Sequence, residues 1–491
     1  MSKILSGILI VVMMFTASCQ VVKPEQDKTA TKDVSAEIKK VAEFELDNGL
    51  KILVKEDHRA PIVTSQVWYR VGSSNEPPGL TGISHMLEHM MFKGTKKFPS
   101  GMARKIIAEN GGEENAFTSR DHTVYYQNIE KSRLDICFEL EADRMVNLLL
   151  DDKEFQKERL VVLEERRMRT DDRPNSKLYE RFNAVAYLSN GYANPVIGWQ
   201  HDIEGYTIDD LKQWYKKWYA PQNATLVVVG DVDPQAVYKL AKKYFGPIKG
   251  NPVKKLKKSV EIQPLGRKDL VVNAKARLPI MIAGYAVPSF TTAKDDWEPY
   301  ALNILAGVLD SGAASRFTSR LVRGKELAAW IGVGYSTLAR LDSQFSIWSS
   351  PAHGVDMETL IEAINAEITE IKEQMISPEE LKRVKAQVMA NAIYKLDSVS
   401  AQALEIGELE TVGLGWEFKD KYYKKLQQIT AEQVQTVARK YLIEDRLTFA
   451  RLVPEKLVPE KMAPEKLAAE QSETEKGLQA KVNKKQSKEA K

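Results

Sequence analysis

The chain has 491 residues, 43% of them hydrophobic and 28% charged, with a net charge of +4. That length is too great for one compact core, so two or more domains are expected. The near-neutral balance, without a basic stripe interleaved with aromatics, excludes a nucleic-acid-binding role.

Lys3 gives the N-terminus a positive start, and Ile4 to Phe15 is nearly all apolar. The run is too short to span a bilayer, so residues 1–18 are expected to be a secretory signal peptide. Thr16-Ala17-Ser18-Cys19 is similar to a bacterial lipobox, with Thr16 where leucine is usual. Cys19 is then the lipid-bearing first residue of the mature protein, and Gln20 after it is similar to the outer-membrane sorting pattern. The expected location is the bacterial periplasm, with a lipid anchor in the outer membrane; cleavage nearby would give a free periplasmic protein instead. Lipidation leaves Cys137 as the only thiol, so no intrachain disulfide can form. Residues 19–40 are polar, charged and aperiodic, and read as a tether.

Folded structure is expected from Val41. Alternating apolar residues flank Asp47-Asn48-Gly49, a strand–turn–strand signal. "IVTSQVWYRVGS" reads as a further strand and "GISHMLEHMMFKGT" as a helix. "SRLDICFELEADRMVNLL" and "EFQKERLVVLEERRMRTDD" read as helices, and "NATLVVVGDVDP" as a buried strand. A Lys-, Pro- and Gly-bearing stretch at 246–266 is the expected linker between a domain at 41–245 and one at 267–453. After it the order restarts. "LPIMIAGYAVPSF" reads as a strand and "WEPYALNILAGVLDSGAASRFTSRLV" as a helix, without histidine, so the second half is expected to be a diverged copy of the first. Residues 454–491 repeat a five-residue unit and run into a Lys/Glu-rich tail, expected to be disordered.

His85, Glu88 and His89 form H-x-x-E-H. Positions i, i+3 and i+4 share a helix face, so two imidazoles and a carboxylate project together. The imidazoles suit zinc, and the carboxylate suits proton transfer from a water held there. From composition alone this pattern arises by chance on the order of 0.01 times in such a chain. A catalytic zinc needs a third ligand. Glu158 and Glu165 are seven residues apart on one helix face, with Glu164 turned about 100° from Glu165. Spacing does not rank them, and one can ligate while the other supports the site.

These stretches resemble the insulinase/pitrilysin (inverzincin) family of zinc metallopeptidases, with bacterial relatives of mitochondrial processing peptidase most similar. The resemblance extends over "FKGT", "GGEENAFTSRDHTVYY" and "WYAPQNATLVVVGDV". It implies an α+β fold of two homologous α/β-sandwich-like domains of processing-peptidase type, forming half of a clamshell. It implies one Zn2+ per chain on His85, His89 and Glu165, Glu88 as general base, and Glu158 as a helper behind the ligands. It implies that Asn115, Ala116, Phe117 and Thr118 form an edge strand that pairs with extended peptide. It places Arg316 at a substrate-facing arginine; the tyrosine that usually accompanies it is missing, and Tyr335 is the candidate substitute. It also implies a zinc endopeptidase acting on peptides, working as a homodimer or as a heterodimer with a related subunit. The alternative is a non-catalytic assembly or peptide-binding subunit, which family members with eroded zinc motifs exemplify; here the motif is intact.

Overall fold

In a computed structural model, residues 41–250, 257 and 259–455 are described. The signal segment, Cys19, the tether and the tail beyond residue 455 lie outside them. The strand–turn–strand signal gives β1 (Ala42–Glu45) and β2 (Lys51–Glu56), paired antiparallel. Gly49 makes the turn at φ +83°, a conformation that costs other residues a steric clash.

β3 (Ile62–Tyr69), β4 (Glu113–Thr118), β5 (Thr123–Glu130) and β6 (Ala224–Gly230) complete the first sheet, in the order β1-β2-β6-β3-β5-β4. β2 and β6 run parallel, and the other neighbours are antiparallel. Every residue of β6 is buried, as its unbroken apolar run requires of a strand covered on both faces. Among the described residues β4 lies at the edge and pairs with β5 alone.

The second sheet contains β7 (Lys268–Ala274), β8 (Ile280–Val287), β9 (Ala328–Tyr335), β10 (Ser343–Pro351) and β11 (Leu447–Pro454). Its order, β7-β11-β8-β10-β9 with β7 and β11 parallel, repeats β2-β6-β3-β5-β4. The internal duplication is therefore present in topology. One expected element differs: the helix after β8 spans only Glu298–Leu309. Asp310 leaves helical geometry and its carboxylate accepts the Val333 N–H at 3.1 Å, while Gly312 turns the chain at φ +76°. A π-helical turn at Phe317–Val322 follows.

One face of the first sheet, including Ile52, Val67, Tyr125 and Leu226, packs on helices Ile83–Met90 and Leu134–Asn147. The opposite face, with Leu53, Trp68, Val227 and Val229, is covered by Ala403 and Ile406 of helix Val399–Val412, from the second half. The exchange is reciprocal. Leu178 and Phe182 of helix Pro174–Ala186, from the first half, cover Ile280, Ile282 and Leu452 of the second sheet. Both contacts are close enough to demand glycine: a Cβ on Gly407 would lie 2.0 Å from the Trp68 ring, and one on Gly284 would lie 2.3 Å from the Phe182 ring. Each half thus completes the other's core. Among the described residues no helix is long and apolar enough to cross a membrane.

Candidate metal centre

Helix Ile83–Met90 buries Ile83, Met86, Leu87 and Met90 in the first core. The 3.6-residue period then carries His85, Glu88 and His89 into an open cavity of about 1230 Å³. Its N-terminus is held by Glu76, whose carboxylate accepts the N–H groups of Gly82 at 2.7 Å and Ser84 at 2.8 Å. These satisfy two donors that a helix start leaves unpaired, with the charge placed at the positive end of the dipole. Burial nevertheless pushes the Glu76 carboxyl up to about 7 against those bonds.

Helix Asp152–Arg166 runs on as a π-helical turn at Arg167–Asp171. It brings Glu165 to the histidines: Glu165 Oε2 lies 3.2 Å from His89 Nε2 and 3.7 Å from His85 Nε2. One donor atom from each of the three residues fits within 4.8 Å of the others. Tetrahedral zinc, with bonds of about 2.0–2.1 Å, separates its ligands by about 3.3 Å, which matches. Glu165 Oε2 is buried against the two imidazole nitrogens, so a carboxylate and two imidazoles converge on one point as a cation's donor set does. Glu164 turns away and pairs with Arg167 at 2.6 Å on the surface.

A second layer orients these groups. Glu158 Oε1 lies 2.8 Å from His89 Nδ1, and its other oxygen pairs with Lys93. Arg169 donates to Glu165 Oε1 at 2.7 Å. A ring nitrogen tied to a carboxylate fixes which nitrogen of His89 faces the cavity. Burial pushes His85 down to about 4, helped by the charge of His89. Burial also opposes charge on His89, but the hydrogen bonds its ring donates to Glu158 and Glu165 overcome it and raise the ring to about 9. A metal cation on Nε2 would take the place of that proton. Glu88 is raised above the ordinary carboxyl range by burial, with the bond from Thr118 opposing.

Thr118, at the end of β4, donates to Glu88 Oε2 at 2.5 Å. Asn115, Ala116 and Phe117 line the same cavity along the edge strand. Arg316 and Tyr335 are not brought there. Arg316 is buried and bound by Glu380 at 2.9 Å and Glu370 at 3.2 Å. The Tyr335 hydroxyl donates to the Pro288 carbonyl at 2.6 Å. Within this chain the guanidinium and the phenol are thus engaged in the second half's own packing, away from the metal group.

Residues 51–199 match the family model described as insulinase (peptidase family M16), and residues 205–388 match the peptidase M16 inactive domain. The chain is 36% identical over 359 residues to the zinc protease PqqE of Helicobacter pylori, covering 72% of this chain and 80% of that protein. The chain belongs to the insulinase (M16) peptidase family. Other M16 relatives agree: it is 28% identical over 414 residues to the mitochondrial-processing peptidase subunit beta of Lentinula edodes, covering 81% of this chain and 86% of that one. The crystal structure of a protease from Helicobacter pylori superposes with a TM-score of 0.79 at 33% identity, covering 85% of this chain and all of that one. The periplasmic protease PqqL from Escherichia coli shares the fold, with a TM-score of 0.73 at 21% identity, over 88% of this chain and 50% of its own. Zinc protease relatives imply zinc, and the M16 half that carries the metal group is the first.

Proposed function

We propose that this chain is a zinc-dependent endopeptidase that hydrolyses peptides or small unfolded polypeptides in the bacterial cell envelope. One observation carries the reading. A His-His-Glu donor set and the half-buried Glu88 carboxylate share a cavity whose wall is, among the described residues, an unpaired strand edge. His85, His89 and Glu165 would hold one zinc, which when bound supplies Lewis acidity toward a carbonyl and toward water.

The chain's own groups supply the rest. The outer edge of β4 offers main-chain donors and acceptors to an extended peptide, so grip is independent of side chains. Glu88, in the same cavity as the donor set, takes a proton from the attacking water and passes it to the leaving amine. Thr118 fixes the carboxylate's orientation, and Glu158 fixes the ring of His89. Intactness of this set favours catalysis over a purely binding subunit, although the second half matches the inactive-domain model.

A second M16 half is expected to close the cavity. The match to half of one longer chain supports a dimer, with itself or with a related subunit, as the equivalent arrangement. That partner's second half could bring an arginine and tyrosine to the site. The Lys3–Cys19 pattern supports export and lipid anchoring. The test is Glu88→Gln: it should keep its zinc and lose peptide cleavage, and unchanged cleavage would refute the assigned role.

A further inference from the structure

Alternation along β4 puts Glu114 on the same face as Ala116 and Thr118, about 13 Å from Thr118 at roughly 3.3 Å per residue. Its side chain lines the cavity, and its Oε1 is buried without a hydrogen-bond partner. Arg144 and Arg104, in the same cavity lining, act on it through charge, without a hydrogen bond to Oε1. Arg144 is bound by Glu141 through Nε at 2.8 Å and through Nη2, and its guanidinium lies over Tyr125 at 4.6 Å. Gln127, opposite Glu114 across the ladder, donates to Glu141 as well. Arg104 is exposed at the rim, stacked over Phe92 at 5.8 Å. The cavity that Glu114 lines also has the apolar Phe92, Ala116 and Leu140 in its walls.

We propose that Glu114 is a specificity-determining residue, the acidic floor of a subsite that selects a lysine or arginine side chain in the peptide laid along β4. This rests on the peptidase reading above and names its substrate class. A basic side chain brings a methylene stem for the apolar walls and a cationic tip for the unpaired oxygen. An acidic side chain meets Glu114 as a like charge, and an apolar one leaves Oε1 unpaired. Burial, with the charge of Glu141 adding to it and Arg144 and Arg104 opposing, holds the Glu114 carboxyl above its ordinary range, so an incoming cation gains what solvent does not provide.

The experiment moves one lysine through successive positions of a neutral peptide, with norleucine at the same position as the reference. Cleavage by the zinc-loaded full chain gives kcat/KM, and fluorescence anisotropy on zinc-loaded Glu88→Gln protein gives affinity without cleavage. One position should favour lysine by about ten- to a hundredfold, the worth of a charge-assisted bond. Glu114→Gln should bring that ratio below about threefold, and Glu114→Asp should retain part of it. No preferred position in the wild type, or a preference that survives Glu114→Gln, would overturn the subsite. Peptides cut without preference would sink the subsite and leave the peptidase. Peptides bound with the lysine preference but never cut would sink the peptidase and leave the subsite.

Discussion

Replacing Glu158 by glutamine tests how the site holds His89. In the wild type one carboxylate oxygen lies 2.8 Å from His89 Nδ1 and the other pairs with Lys93. An amide has a single acceptor oxygen, so glutamine can serve His89 or Lys93 but presents a donor to the remaining one. One charge-assisted bond is lost, worth about 1.5–3 kcal/mol. The carboxylate's side chain is 10% exposed and that of Lys93 26%, so solvent recovers part of the loss. Zinc affinity should fall by about ten- to a hundredfold, the range typical for groups behind metal-ligating histidines. Competition with a chromophoric chelator measures it. Glu164→Gln is the matched control, because Glu164 is on the surface with Arg167, and its affinity should be unchanged. A Glu158→Gln affinity within about twofold of wild type would refute the orienting role.

Gly407→Ala should lower the unfolding midpoint: its Cβ would meet the Trp68 ring at 2.0 Å, and overpacking of about 1–3 kcal/mol outweighs a helix gain of about 0.5–1 kcal/mol. Gly284→Ala should do the same through Phe182, and a rise in either midpoint would contradict the exchanged-helix packing. His122 is pushed down from 6.5 to about 4 by burial, packs 4.8 Å from Trp68, and has no partner at Nδ1. Between those values the unfolded chain binds a proton that the folded chain refuses, so stability falls as pH drops from 6.5 toward 4, by up to about 3 kcal/mol. Urea titrations of wild type and His122→Gln across that window should show a shallower acid loss in the variant; parallel curves would contradict it.

The metal helix was legible because its chemistry and its period coincide in one short stretch, and the apolar face at Ile83, Met86, Leu87 and Met90 leaves one way for the histidines to point. The acidic ligand was not legible from helical geometry, which left Glu158, Glu164 and Glu165 open. The distinction lies in a tertiary contact between helices Ile83–Met90 and Asp152–Arg166. The sequence places Thr118 on the strand edge but does not show that its hydroxyl binds Glu88 across thirty residues. Glu76 lies in a polar loop with no periodic signal, and only the fold brings it to the start of the metal helix. The same holds for Arg340, whose side chain donates to Ser74 at 2.7 Å and Asp121 at 3.2 Å, beside the turn that ends β4. The duplication could be read from repeated apolar segments, but the strand order within each sheet could not. The exchange of helices Pro174–Ala186 and Val399–Val412 could not, because an amphipathic face does not encode which sheet it covers.

Zinc content and peptide cleavage measured on the same purified protein test the central claim most directly. About one zinc per chain is expected, with cleavage lost on chelation and restored by zinc, and with both lost in Glu165→Gln. Protein that binds no zinc, or that cuts peptides equally well after chelation, would contradict the account.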